Sequence, residues 1–204
     1  MSAFLGPIHY WLYNKIQLQQ EIIDELYELG KKNNIPLEKE CNERFGTFEN
    51  KPLEEMIDHG NIHGWLQERV SQSEYKYACC VTGLLERDKA LERELLAIMK
   101  NKGINLAIIL KEFRLDAEGI YKAITDNLLD GMPCDNANRI ISRSGQEVVW
   151  SREVCVHRSY WEETGGDIRV YYKLRDAWLE GLTEELGYFF ERIDDTTYRI
   201  GLSR

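Results

Sequence analysis

The chain has 204 residues, of which 43% are hydrophobic and 11% aromatic, and its formal net charge is −9 at pH 7. This length and composition suffice for one large domain or two small ones with an apolar core, and they exclude a disordered chain. The negative charge opposes binding to nucleic acid and to anionic membranes, and there is no run of about 18 apolar residues that would span a membrane.

The cysteines and the first residues of the chain bear on the compartment. Residues 1–7 lack the basic and apolar segments of a signal peptide. The five cysteines form an odd set without the regular spacing of a disulfide framework. Both features predict a cytoplasmic protein with reduced thiols and no membrane partner.

The beginning of the chain is predicted to be helical. Pro7 stands where the first turn of a helix tolerates a missing amide, and apolar residues then recur with a period of about 3.6 until Gly30. A short helix is predicted at 37–45, and Pro52 is predicted to start another that ends near Gly60.

A longer helical pattern begins near Asn61 and contains a stripe of large residues at intervals of seven. Glu74 and Asp88 are the polar exceptions at its intermediate positions. The stripe is typical of a long helix in an antiparallel bundle and also of a dimerising helix, and a break near Asp88 would divide it in two. The residues of the stripe are Val70, Tyr77, Leu84, Leu91 and Ile98.

Gly103 is predicted to end this segment, and two helices follow it. The first spans 104–115, and Asp116 is positioned to cap the second, which runs to Gly131. This order faintly resembles a helix-turn-helix motif, but the connection is too long and the second helix is acidic rather than basic. A nucleic-acid partner is therefore not expected.

Beyond Gly131 the pattern changes from helices to strands. Two strands are predicted on either side of a turn at Ser144-Gly145, and a terminal hairpin turns at Asp194-Asp195. An amphipathic helix is predicted between the two hairpins. The predicted strands span 139–142, 146–156, 188–193 and 196–202, and the helix spans 168–186.

Together these elements predict an α+β fold: a mostly α-helical bundle with a C-terminal antiparallel sheet of two hairpins, packed by one long helix. Region 1–131 is predicted to be helical and region 132–204 to be α+β. Nothing between them resembles a flexible linker, so the two regions are expected to pack together as one compact unit.

Histidines are the first candidates for chemistry, because imidazole binds most transition metals. His59 and His63 have the i, i+4 spacing that places two ligands on one face of a helix, although Gly60 and Asn61 favour a helix end that would break this geometry. The histidines predict a metal site for iron or zinc, and capping, packing or surface positions are the alternative. The four candidate ligands are His9, His59, His63 and His157.

Cysteines and arginines supply a second candidate site. Cys134 lies in a turn. Cys155 lies on the predicted strand 146–156, and His157 follows it two residues later, a spacing that would place both side chains on one strand face. Either thiol could be a metal ligand, a nucleophile or a buried structural residue. Arginines hold carboxylate or phosphate groups through two hydrogen bonds, and they also pair with carboxylates on sheet surfaces. The candidate anion-binding residues are Arg139, Arg152 and Arg158, and Tyr160, Tyr171 and Tyr172 could line the same pocket.

The C-terminal part of the chain resembles a known arrangement. A strand at 148–156, a helix at 170–186 and final strands that end near Ile200 are similar to the ligand-binding modules of the vinyl-4-reductase type and of the L-2-amino-thiazoline-4-carboxylate hydrolase-like proteins. In those families a strand with a cysteine precedes a helix and a closing hairpin, and Cys155 occupies that place. Where those families have a Gly-Asp turn followed by another cysteine, this chain has Asp194-Asp195 and no later cysteine. The resemblance implies a pocket for a small organic or metal-containing ligand.

The leading functional hypothesis is a cytoplasmic protein that binds a metal ion or metal cofactor through clustered histidines. One alternative is a sensor of a small anionic ligand, or a hydrolase-like enzyme, that uses Cys155. Another is an interaction protein that forms a homodimer through the stripe of large residues. The expected partners are a small molecule or a metal, without nucleic acid or membrane.

Overall fold

The computed structural model describes residues 4–203; residues 1–3, which belong to the segment without a signal-peptide pattern, lie outside this range. The protein has the predicted α+β fold, with helices along most of the chain and a C-terminal antiparallel sheet. None of the helices in residues 4–203 is long and apolar enough to cross a membrane. The helices are α1 (Pro7–Lys32), α2 (Glu38–Phe45), α3 (Leu53–Met56), α4 (Ile62–Arg87), α5 (Glu92–Leu110), α6 (Ala117–Asn127), α7 (Arg158–Glu163) and α8 (Ile168–Glu185). The strands are β1 (Asn138–Arg143), β2 (Glu147–Arg152), β3 (Tyr188–Arg192) and β4 (Thr197–Leu202).

The chain forms two compact units, each assembled from segments that are separate in sequence. The predicted regions 1–131 and 132–204 follow the change from helices to strands along the chain, whereas the units follow spatial contacts. Unit 1 contains the N-terminal segment up to Lys89, Asp126–Cys134 and His157–Asp167, and unit 2 contains Ala90–Thr125, Asp135–Val156 and the segment from Ile168 onward.

Unit 1 is built around α4, against which α1, α2 and α7 pack. The long helical pattern is divided near Asp88, because α4 ends at Arg87 and Asp88 adopts an extended conformation. In the first half of the predicted stripe, Val70, Tyr77 and Leu84 are at most 2% exposed. These three side chains are buried by the chain itself, so packing within the chain accounts for this part of the stripe.

Unit 2 contains α5 and α8, which pack closely along each other. The predicted helix end at Gly103 is wrong, because α5 continues through this residue to Leu110. A Cβ atom at Gly103 would lie 2.1 Å from the carbonyl oxygen of Trp178 on α8, and a Cβ atom at Gly181 would lie 2.1 Å from the carbonyl oxygen of Lys100 on α5. The glycine therefore permits close contact between two helix backbones rather than ending a helix.

The sheet of unit 2 has the strand order β1-β2-β4-β3 and is antiparallel throughout. The two predicted hairpins are confirmed, and α8 packs against β3. Pairing of β2 with β4 places Trp150 opposite Tyr198, whose rings stack 5.5 Å apart. Their burial anchors the two central strands in the core of the unit.

Strand β2 ends at Arg152, four residues before the predicted end at 156. The neighbouring strands β1 and β4 begin at Asn138 and Thr197, opposite Arg152 and Ser151. Beyond this point only the amides of Glu153 and Val154, among the described residues, still bond to a neighbouring backbone, at the carbonyl oxygen of Ala137. Cys155 and His157 consequently lie beyond the strand, and the prediction that they share one strand face is wrong. Cys155 belongs to unit 2 and His157 to unit 1.

Candidate functional site

The four histidines occupy different structural settings. His9 lies in the first turn of α1, where its Nδ1 accepts a hydrogen bond from the Gly6 amide at 2.9 Å. His59 is exposed before α4, and His63 is exposed in the first turn of that helix. Asn61 is the N-cap of α4 and its side chain accepts a hydrogen bond from Gly64, so His59 and His63 do not share a helix face.

Within residues 4–203 no group of three or more His, Cys, Asp or Glu side chains has an arrangement that could hold a metal ion. A metal site for iron or zinc needs at least three such ligands converging on one point. The histidine metal site thus stays a prediction from the sequence.

His157 is the buried histidine and belongs to a charged cluster in unit 1. It is 2% exposed at the start of α7, and its Nδ1 lies 3.0 Å from both carboxylate oxygens of Glu74 on α4. Its Nε2 lies 3.5 Å from the Oδ1 of Asp130. Each ring nitrogen therefore faces a carboxylate, which is the arrangement that stabilises a doubly protonated ring.

The charge of this cluster follows from its contacts. Burial opposes protonation of His157, but the negative charges and hydrogen bonds of Glu74 and Asp130 prevail and raise its pKa from 6.5 to about 9. An imidazolium has no lone pair to offer a metal or a substrate proton. In this arrangement His157 is a buried cation that ties three separate segments of unit 1 together.

The two thiols singled out in the sequence differ in their surroundings. Cys134 is exposed, whereas Cys155 is half-buried after the end of β2. The hydroxyl of Tyr172 on α8 donates a hydrogen bond to the Cys155 sulfur at 3.0 Å. Burial and this hydrogen bond raise the pKa of Tyr172, so the phenol remains protonated and keeps its donor at neutral pH.

Arg152, the last residue of β2, completes a group with these two side chains. Its guanidinium carbon lies 4.3 Å from the centre of the Tyr172 ring, and its Nη2 donates to the carbonyl oxygen of Asp195 at 2.7 Å. The buried Nε atom has no hydrogen-bond acceptor among residues 4–203. Burial opposes the charge of Arg152, but the phenols of Tyr198 and Tyr172 and the Cys155 thiol raise its pKa.

The other two candidate arginines are paired with carboxylates. Arg139 lies 3.1 Å from Glu153 in unit 2, and Arg158 lies 3.5 Å from Glu162 in unit 1. Both pairs are largely exposed, which is typical of surface ion pairs. Sequence reasoning missed Arg192 on β3, whose guanidinium carbon lies 5.8 Å from the Tyr172 ring, because nothing local in the sequence links a terminal strand to this side chain.

Two open clefts lie elsewhere in the protein. One, of about 550 Å³, is in unit 1 between α1 and the segment 50–54, and its lining is mostly tyrosine and amide side chains. The other, of about 470 Å³, is in unit 2 between α6 and the β1-β2 hairpin. Neither cleft is lined by a candidate histidine or cysteine, nor by Arg139, Arg152 or Arg158.

Comparison of the chain with protein-family models, curated proteins and solved structures finds no match. The resemblance of the C-terminal part to ligand-binding modules stays a prediction.

Proposed function

We propose that unit 2 binds a small anionic ligand at a thiol site formed by Cys155, Tyr172 and Arg152. The observation that supports this function is that one tyrosine, Tyr172, contacts both other groups. Its hydroxyl donates to the Cys155 thiol, and its ring face carries the Arg152 guanidinium. Cys155 and Arg152 both lie on the strand that the sequence predicts at 146–156. Their common neighbour Tyr172 is on α8, 17 residues beyond Cys155.

Each group has a definite role in this proposal. Arg152 supplies the positive charge that attracts a carboxylate or phosphate group. Tyr172 fixes the position of the sulfur through its hydrogen bond and supports the guanidinium on its ring face. Cys155, which is half-buried, then contacts the uncharged part of the ligand.

The first test compares alkylation of Cys155 by iodoacetate, an anion, with alkylation by neutral iodoacetamide. We expect the ratio of the iodoacetate rate to the iodoacetamide rate to be higher at Cys155 than at Cys134. Arg152→Gln should lower this ratio at Cys155 by about fivefold, because a nearby unit charge contributes about 1 kcal/mol in a solvated site. Rates are measured separately for each cysteine by peptide mass spectrometry.

Cys134 is the internal control, because it is exposed in the same molecule and lies apart from Arg152 in the chain. Its rate ratio should not change in Arg152→Gln. Arg158→Gln is the matched charge control, since that residue belongs to unit 1. Equal rate ratios at Cys155 in the wild type and in Arg152→Gln would refute the proposed anion site.

A further inference from the structure

A second pair of thiols lies in the core of unit 1, apart from the thiol site. Cys41 on α2 and Cys79 on α4 have their sulfur atoms 3.3 Å apart, and the Cys41 thiol donates to the Cys79 sulfur. Both residues are buried, with exposed fractions of 0% and 5%. Adjacent residues of a helix point about 100° apart, so Cys79 faces this partner and its neighbour Cys80 does not.

Arg44, one turn beyond Cys41 on α2, makes the two thiols unequal. Its Nη1 lies 3.6 Å from the Cys79 sulfur, which therefore accepts from a guanidinium and from a thiol at once. Two donors directed at one sulfur favour its thiolate form. The hydrogen bond from Cys41 lowers the pKa of Cys79, burial opposes this and the charge of Arg44 adds to it, whereas the pKa of Cys41 is raised.

The residues that cover the pair lie at the protein surface. Arg44 is about half exposed and lies 4.0 Å from Glu40, which also pairs with Arg87. Cys79 is thus buried directly beneath a charged surface cluster. Helix α2 has eight residues and is followed by Gly46 at a φ of +83°, so a small movement of this short helix can open the contact.

We propose that Cys41 and Cys79 form a redox modification site, which an oxidant of the peroxide class converts into a disulfide and which thiol reductants restore. The geometry supports this assignment because the sulfur atoms are already in contact and only one of them is held as an acceptor of two hydrogen bonds. This site is independent of the function proposed for Cys155.

The reaction proceeds in two balanced steps. The Cys79 thiolate attacks one peroxide oxygen, so that an S–O bond forms, the O–O bond breaks and the leaving oxygen departs as water or alcohol after protonation. The Cys41 sulfur then attacks the sulfur of the resulting sulfenic acid, the S–S bond forms and water leaves with the Cys41 proton. The two thiols lose two electrons and two protons, which the peroxide receives.

The experiment treats the full-length protein with hydrogen peroxide, blocks the remaining thiols in denaturant and maps the cysteines by mass spectrometry. We expect a Cys41–Cys79 disulfide, reversed by dithiothreitol. The matched control is Cys80→Ser, which changes the adjacent buried cysteine and should leave the disulfide intact. Cys79→Ser should abolish it, and Cys41→Ser should leave a sulfenic acid on Cys79 that dimedone traps.

Arg44→Gln tests whether Arg44 makes Cys79 the more reactive of the two thiols, and it does so without altering a core residue. It should slow oxidation of Cys79 by about three- to tenfold, because removal of a neighbouring positive charge lowers the thiolate fraction. A disulfide between other cysteines in the wild type would overturn the proposal. So would complete alkylation of Cys41 and Cys79 after peroxide treatment that oxidises the exposed Cys134. These mapping results do not depend on whether the serine variants fold.

Discussion

Replacement of His157 by glutamine is expected to lower the free energy of unfolding by about 3–5 kcal/mol, because removing one partner of a buried ion pair leaves uncompensated charge in the core. In the wild type the imidazolium faces Glu74 and Asp130 at 3.0 and 3.5 Å. Glutamine is of similar size and can donate one hydrogen bond, but it carries no charge. Urea unfolding at neutral pH, followed by circular dichroism, measures the change.

The neighbouring arginine provides the control for this substitution. Arg158→Gln removes an exposed pair with Glu162 at 3.5 Å and should change stability by no more than about 0.5 kcal/mol. If charge pairing is the cause, Glu74→Gln should be less harmful in the His157→Gln background than in the wild type. Purely additive effects of the two substitutions would show that His157 and Glu74 are not energetically coupled.

The same cluster gives stability a defined pH dependence. The pKa of His157 is raised from 6.5 to about 9 in the folded state. The stability that the protonated ring contributes is therefore fully present below pH 6.5 and is lost as the pH rises through about 9. Between these values the folded state holds a proton that the unfolded state has released. The loss amounts to about 3 kcal/mol by proton linkage.

A comparison of variants isolates this contribution from other groups that titrate in the alkaline range. The difference in unfolding free energy between the wild type and His157→Gln should shrink as the pH rises from 6.5 to above 9. A difference that stays constant over this interval would mean that His157 is not protonated in the folded protein at neutral pH.

The fold was predictable where the pattern that defines an element is local. The hairpins follow from turn residues such as Asp194-Asp195 between alternating strands, and the cap at Asp116 is confirmed by its hydrogen bond with the Gly119 amide. The sequence pattern failed at Gly103, where the reason for a glycine is the backbone of α8. It also failed at the end of β2, since a strand ends where its partners end.

The candidate sites were less predictable because their partners are distant in sequence. His157 was a candidate, but its counter-ion Glu74 is 83 residues away. A signal for it did exist, because Glu74 is a polar exception in an apolar stripe and a buried charge requires a partner. The contact between Cys41 and Cys79 spans 38 residues and has no comparable signal, since buried cysteines usually serve as small apolar residues.

Replacement of Gly103 by alanine is expected to lower the free energy of unfolding by about 1–3 kcal/mol, the usual cost of extra volume in a packed interface. A Cβ atom there would lie 2.1 Å from the Trp178 carbonyl oxygen, and backbone cannot rotate away as a flexible side chain can. The sign of this change in unfolding free energy is informative. In an ordinary helix interior alanine is favoured over glycine by about 1 kcal/mol, so the same substitution would there raise stability. Urea unfolding of the wild type and of Gly103→Ala measures the difference in unfolding free energy.

Asn101→Ala is the matched control, since this exposed residue lies on the same helix and the change should raise stability by a few tenths of a kcal/mol through helix propensity alone. Gly181→Ala introduces the reciprocal clash with Lys100 and should destabilise as Gly103→Ala does. Once one substitution has forced α5 and α8 apart, the second meets less resistance, so the double variant should lose less stability than the sum of the single variants. An increase in stability in either single variant would mean that the two helices do not approach as closely as these glycines require.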